Sequence, residues 1–276
     1  MKQGIPWKKY TVEGFVIVAS ILLAFAIDAW WDTRNEYAEE QTALIDLRNE
    51  LQENLSAIES TWLNRLSGPL YGSVALFRHL YGLPLDGSVI ELSRSRISAG
   101  ENLTTELYNF YRNEVLVPIS DANLSSSPIE VRAGTVEIIR LAPTYGPSIA
   151  SLDVLFQSGM VNRIQNEELR SKLAAMPLEI NDYNYEEGVL TDFVLNNLRN
   201  LLETSVSESR EIALLSVGMS NTEARSKLQN TLIQVTPSEK LVYALSEKID
   251  YNLRVLGQLD VLITRYEEIV EMIDVD

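Results

Sequence analysis

The chain has 276 residues, 46% hydrophobic, 22% charged and 8% aromatic, with 23 Lys and Arg against 39 Asp and Glu, one His and no Cys. This composition excludes a disulfide scaffold, a cysteine zinc site, a thiol enzyme and a wholly disordered chain. A formal net charge of −16 argues against nucleic acid as a partner, since nothing offsets repulsion from phosphates, and the length is enough to bury a sizeable core without staples.

The first element is apolar. Residues 1–36 read MKQGIPWKKYTVEGFVIVASILLAFAIDAWWDTRNE, and the uncharged run from Gly14 to Ile27 covers only roughly 21 Å of a hydrocarbon core about 30 Å thick. Extending the helix over residues 10–31 reaches roughly 33 Å, with Glu13 near one interface and Asp28 near the other. Trp7 and Tyr10 flank one end and Trp30 and Trp31 the other, where amphipathic rings anchor a span. Lys2, Lys8 and Lys9 lead, whereas Asp28, Asp32, Glu36, Glu39 and Glu40 follow with a single Arg34. The positive-inside rule then predicts a single-pass protein of a cytoplasmic membrane, with residues 1–9 in the cytoplasm, 10–31 in the bilayer and 32–276 outside.

Two rival readings stay open at this point. Three lysines, an apolar run and Ala24-Phe25-Ala26 imitate a cleaved signal peptide, although Glu13 interrupts the start of its apolar region. A buried core helix is the other, against which the all-round apolar character of 14–27 counts. Glu13 and Asp28 are candidates for contact with a membrane partner, the plain alternative being hydrated groups at the span's edges.

No Pro or Gly occurs between Trp31 and Gly68-Pro69, so the helix can run on without a break. Leu44, Leu47, Leu51, Leu55, Ile58 and Trp62 form an amphipathic stripe opposite Glu39, Glu40, Asp46, Glu50 and Glu53. Gly68-Pro69, Gly82, Pro84 and Gly87 predict a short helix over 70–81 and a turn after it, with Ser88 as a cap. Residues 100–146 are the least regular, read as loops around a helix near 129–141. Pro147 and Ser148 open a helix from Ile149 to Gln157, Gly159 stops it, and Asn166 caps a helix from Glu167 to Met176 before Pro177. Helical spacing returns over 178–204 and in shorter pieces to Gln234. Ser238 then opens a last long helix carrying Leu241, Leu245, Ile249, Leu253, Leu256, Leu259, Ile263, Tyr266, Ile269 and Ile273. The expected class is all-α: a transmembrane helix continuing into an extracytoplasmic helical bundle with long first and last helices and an irregular insert about 100–146.

Two stretches together carry a resemblance. The first is Glu13-Gly14-Phe15-Val16-Ile17-Val18 with Ile21-Leu22-Leu23-Ala24 and Ile27-Asp28-Ala29-Trp30-Trp31. The second is Ala150-Ser151-Leu152-Asp153-Val154-Leu155-Phe156-Gln157-Ser158-Gly159, running into Ile164-Gln165-Asn166-Glu167-Glu168-Leu169-Arg170. In this order they resemble a family of bacterial single-span membrane proteins filed as a domain of unknown function, with a span ending in an Asp/Asn-Trp signature. The resemblance implies topology and helical content and no reaction.

Little points to chemistry. His79 is the only histidine, so a two-His metal site is excluded, and beside Arg78 and Leu80 it reads as structural. Glu186-Glu187 and Glu267-Glu268 point about 100° apart on a helix, and each pair reads as solvated surface. No glycine spacing makes a phosphate loop, and Asp121-Ala122-Asn123 lacks the rest of a calcium loop. The first functional expectation is therefore a protein that is not an enzyme and carries no cofactor. It would sit in the lipid bilayer and bind or scaffold a protein partner, or a second copy of itself. The alternative is a sensory bundle holding a ligand near Tyr108, Tyr111, Tyr145 and Phe156 and acting through a membrane partner. A carboxylate-only enzyme is the third.

Overall fold

The computed structural model describes residues 7–59, 63–83, 122–206 and 221–275. It is predominantly helical, with long helices at both ends, as the periodicity predicts.

Helix α1 spans Trp7–Ala57 without interruption and changes character along its length. From Phe15 to Glu39 every residue is exposed, including Phe15, Ile17, Leu22, Phe25, Trp30 and Trp31. From Leu44 onward one face is buried: Leu44, Leu47, Leu51 and Ile58 are in the core and Leu55 packs against it. The predicted stripe is thus a seam on the bundle, while Trp62 lies outside the described residues.

The last helix, α8 (Glu239–Val275), is the spine of the bundle. Its Leu241, Leu245, Ile249, Leu256, Leu259, Tyr266 and Ile269 are buried. Against it pack α1, α2 (Leu63–Leu80) and α5 (Glu167–Phe193). The Ser238 hydroxyl accepts from Leu241 N at 3.2 Å, and Asn166 Oδ1 from Leu169 N at 3.0 Å, so both predicted caps form. Gly159 adopts φ 75°, the left-handed conformation that ends α4 (Ala150–Gln157) where the sequence places the stop. A 3-10 turn, Met160–Arg163, leads into α5.

Proline boundaries are where expectation and structure part. Helix α5 does not end before Pro177 but runs through it to Phe193. Pro177 itself is exposed, while Leu169, Leu173, Met176, Ile180, Tyr183 and Leu190 form one buried face across it. Burying six such side chains, at about 1.5–3 kcal/mol for a large aliphatic one, outweighs the roughly 3 kcal/mol that an interior proline costs. Likewise Gly68 and Pro69 lie inside α2, where a break was expected. Gly72 explains part of that choice. A side chain there would collide with Ile138 and come within 3.1 Å of Ile139 Cγ1, so its missing Cβ lets α2 lie against α3 (Ala133–Ile139).

The helix expected near 129–141 is also corrected. Ile129–Arg132 is a strand, β1, and only Ala133–Ile139 is helical. β1 pairs antiparallel with β2 (Leu232–Val235), Ile129 opposite Val235 and Arg132 opposite Leu232. Val206, just past α6 (Arg199–Ser205), bridges to Val235, and α7 (Asn221–Asn230) precedes β2. Alternate strand residues Val131, Ile233 and Val235 enter the core, a two-residue period too short in each strand to stand out from helical spacing.

Candidate functional site: a groove beside the apolar helix

The exposed part of α1 is long and apolar enough to cross a membrane, with mean hydropathy 1.8 over its best window and none of that window buried in the bundle. Next to it, where α1 begins to pack, the molecule has an open groove of about 570 Å³. One wall is α1, which presents Asn35, Ala38, Glu39, Thr42, Ala43 and Asp46 at helical spacing. The other is Ala150, Ser151 and Val154 of α4 with Met160 of the 3-10 turn. At about 1.5 Å per residue the α1 wall starts roughly 6 Å beyond Trp31 and runs for roughly 17 Å. Ala38, Ala43, Ala150 and Ser151 give its lining several small side chains, and its charged lining residues are the acids Glu39 and Asp46.

Two tethers hold the walls together. Toward the apolar end, Arg163 of the 3-10 turn meets Glu36 of α1 at 3.4 Å, an exposed pair that contributes little energy. Toward the bundle, Glu50 and Asn54 make a latch. Helix α4 lacks a side-chain cap of its own, because Ile149 occupies the N-cap. Its free amides are instead bound by Glu50: Ala150 N donates to Oε1 at 2.8 Å, Ser151 N to Oε2 at 2.7 Å, and the Ser148 hydroxyl to Oε1. Burial pushes the Glu50 carboxyl up, but the hydrogen bonds from Ser148, Ser151 and Ala150 outweigh it and hold the group below its ordinary value. Asn54, nearly buried, completes the latch by donating to Ser148 O at 2.8 Å and accepting from Ser148 N at 3.1 Å. A carboxylate at a helix N-terminus is favoured by the unsatisfied N–H groups and the helix dipole there.

The residues singled out from the sequence fall in different places. Asp28, Trp30 and Trp31 are exposed on α1, the two indoles 6.3 Å apart and Arg34 over the Trp30 ring at 5.5 Å. Trp7, Tyr10 and Glu13 belong to the helix, and their side chains lie outside the described part. Of the aromatic set, Tyr108 and Tyr111 are outside the described residues. Tyr145 is buried, its ring edge-on to Tyr183 at 6.0 Å, while Phe156 is exposed on α4, so these two sit in different surroundings.

The paired acids are not simply solvated. Glu187 is partly buried and accepts from Tyr183 OH at 2.8 Å and from Tyr145 N; burial raises its pKa against those two hydrogen bonds. Glu268 pairs with Lys172 at 2.8 Å and Arg265 at 3.0 Å, and Arg265 also grips Glu179 across the α5–α8 contact. Their neighbours Glu186 and Glu267 are partly and fully exposed, and so is His79.

Sequence reasoning missed the latch. Its signal was faint: Asn54 is a polar residue beside the leucine stripe, one turn after Glu50, and the segment opening α4 brings a serine without a capping residue next to the first turn.

No protein-family model, curated protein or solved structure matches the chain significantly.

Proposed function

We infer that this is a membrane-anchored, non-enzymatic helical protein, its bundle standing outside the cytoplasmic membrane of a bacterium, that binds or scaffolds a partner protein beside the bilayer. One observation carries the reading: a single unbroken helix has an apolar half that packs on nothing among the described residues and a second half that is a structural member of the bundle. A flexible tether would need no such rigid continuation. Support for orientation comes from the lysines ahead of the apolar run and the acids after it.

The groove is where the partner would bind. It lies alongside the point at which α1 leaves the apolar zone, so a helix rising from the same bilayer would meet it end-on. Ala38, Ala43 and Ala150 allow close backbone approach, and Glu39 and Asp46 favour a basic partner. A second copy of α1 is disfavoured, because its residues 32–46 carry five acids against one Arg. A photo-reactive residue placed at Thr42 or Ala150 in the full-length protein in its native membrane should give one recurring adduct with a membrane protein. The same probe at Tyr243, exposed on α8, should not. Absence of any adduct from the groove positions, with the protein monomeric in that membrane, would overturn the reading.

A further inference from the structure

In a chain with 16 more acids than bases, one interior region is cationic. Lys248, midway along α8, is completely buried, and its ammonium donates to Leu141 O at 2.8 Å. One peptide unit back, Arg140 O accepts from Arg199 Nε at 3.3 Å and Nη2 at 3.2 Å. The Arg140 side chain binds Glu137 through Nη1 at 3.0 Å, but its Nε and Nη2 are buried with no hydrogen-bond partner among the described residues. Two cations from two helices thus meet the adjacent carbonyls of Arg140 and Leu141, a third belongs to Arg140 itself, and among the described residues Glu137 is the acid that meets any of the three. Buried charges are ordinarily paired, since an ion taken out of water without a counter-ion loses its hydration and gains nothing in return.

The unused edge of Arg140 narrows the chemistry. Nε and Nη2 are the parallel donor pair of a guanidinium, the pair that takes two oxygens of one carboxylate or phosphate side by side. Lys248 keeps further N–H groups beyond the one on Leu141. We propose that the Arg140–Leu141 turn, Arg199 and Lys248 form a binding site for a small oxyanion, a carboxylate or phosphate group. The bidentate edge of Arg140 would hold two of its oxygens, and the Lys248 ammonium with Arg199 would supply the counter-charge. Access would be beside the turn, where residues 141–149 are in neither helix nor strand and Leu141 is half-exposed.

Burial and then the Arg199 charge pull the Lys248 pKa down to about 7, and a bound oxyanion would raise it by favouring the ammonium. The test is thermal unfolding and titration calorimetry of the full-length protein in nanodiscs at pH 7. Inorganic phosphate and acetate are added in separate arms against sodium chloride at equal ionic strength. A saturable rise in Tm with one or both oxyanions and none with chloride is expected, and the stronger arm identifies the oxyanion. Arg140→Gln should weaken binding at least tenfold, and Lys248→Met, which keeps the volume and removes the charge, should abolish it. An oxyanion effect no larger than chloride's on the wild-type protein would overturn the proposal even if both variants failed to fold. An undiminished effect in folded variants would overturn it too.

Discussion

Glu50→Ala is the substitution that separates a latched α4 from one merely resting on α1. It removes three hydrogen bonds at once, from Ala150 N, Ser151 N and the Ser148 hydroxyl, and leaves the first turn of α4 without a cap. Losing an N-cap costs about 0.5–2 kcal/mol, and hydrogen bonds to a charged group are worth about 1.5–3 kcal/mol each before water replaces them. Glu50 is partly exposed, so water recovers much of the loss, and about 2 kcal/mol is the reasonable net figure. That energy falls on a local opening of α4, since the α5–α8 core does not depend on it. Amide hydrogen exchange at Ala150–Val154 should therefore speed up by about 30-fold in Glu50→Ala, with exchange in α8 unchanged. Glu50→Gln, which can still accept, should fall between. Because the folded-state pKa is lowered, the latch contributes above the ordinary glutamate value of 4.5 and is lost as pH falls through the depressed one. Unchanged exchange in Glu50→Ala, or equal acceleration by the control Glu53→Ala, would refute the latch.

Three further outcomes follow from the packing and the buried charges. Gly72→Val should destabilise by about 1–3 kcal/mol, as overpacked cores do, because the added atoms collide with Ile138 and crowd Ile139; chemical denaturation measures it, and an unchanged midpoint would show that α3 yields freely. Lys248 has a folded-state pKa of about 7 against 10.5 unfolded, so between those values the unfolded chain holds a proton that the native protein lacks and stability rises with pH. The slope should reach about 1.4 kcal/mol per pH unit in oxyanion-free buffer and vanish in Lys248→Met; the window closes near 10, where buried Tyr145, Tyr183 and Tyr266, pushed up by burial, act the opposite way. Pro177→Ala should stabilise α5 by about 1–3 kcal/mol by restoring a helix hydrogen bond, and a loss of stability on thermal unfolding would contradict this.

Much of the architecture was legible because it rests on periodicity over long stretches. The stripe from Leu44 to Ile58 and the longer one from Leu241 to Ile269 each run for several turns, and local signals at Asn166, Gly159 and Ser238 act within three residues of where they are read. What misled was chemistry that depends on distant neighbours. Pro177 and Gly68-Pro69 read as breaks, yet a continuous buried face overrides the first, and the close approach to α3 accompanies the second. β1 and β2 are four residues each and about 100 residues apart, so neither could announce its partner. The groove and its latch were illegible for the same reason, since Glu50 and Ser148 lie 98 residues apart and meet only once the bundle has folded.

If α1 anchors the chain with the bundle outside, the two ends of its apolar stretch face different compartments. The chain contains no cysteine, so single cysteines can be placed without background: Gln3→Cys ahead of the apolar run and Asn197→Cys on the exposed surface beyond α5. With a membrane-impermeant maleimide on intact spheroplasts, the account predicts rapid labelling at position 197, labelling at position 3 only after lysis, and both in material that resists carbonate extraction. Labelling of position 3 with protection of 197, or recovery of the protein in the carbonate supernatant, would contradict it.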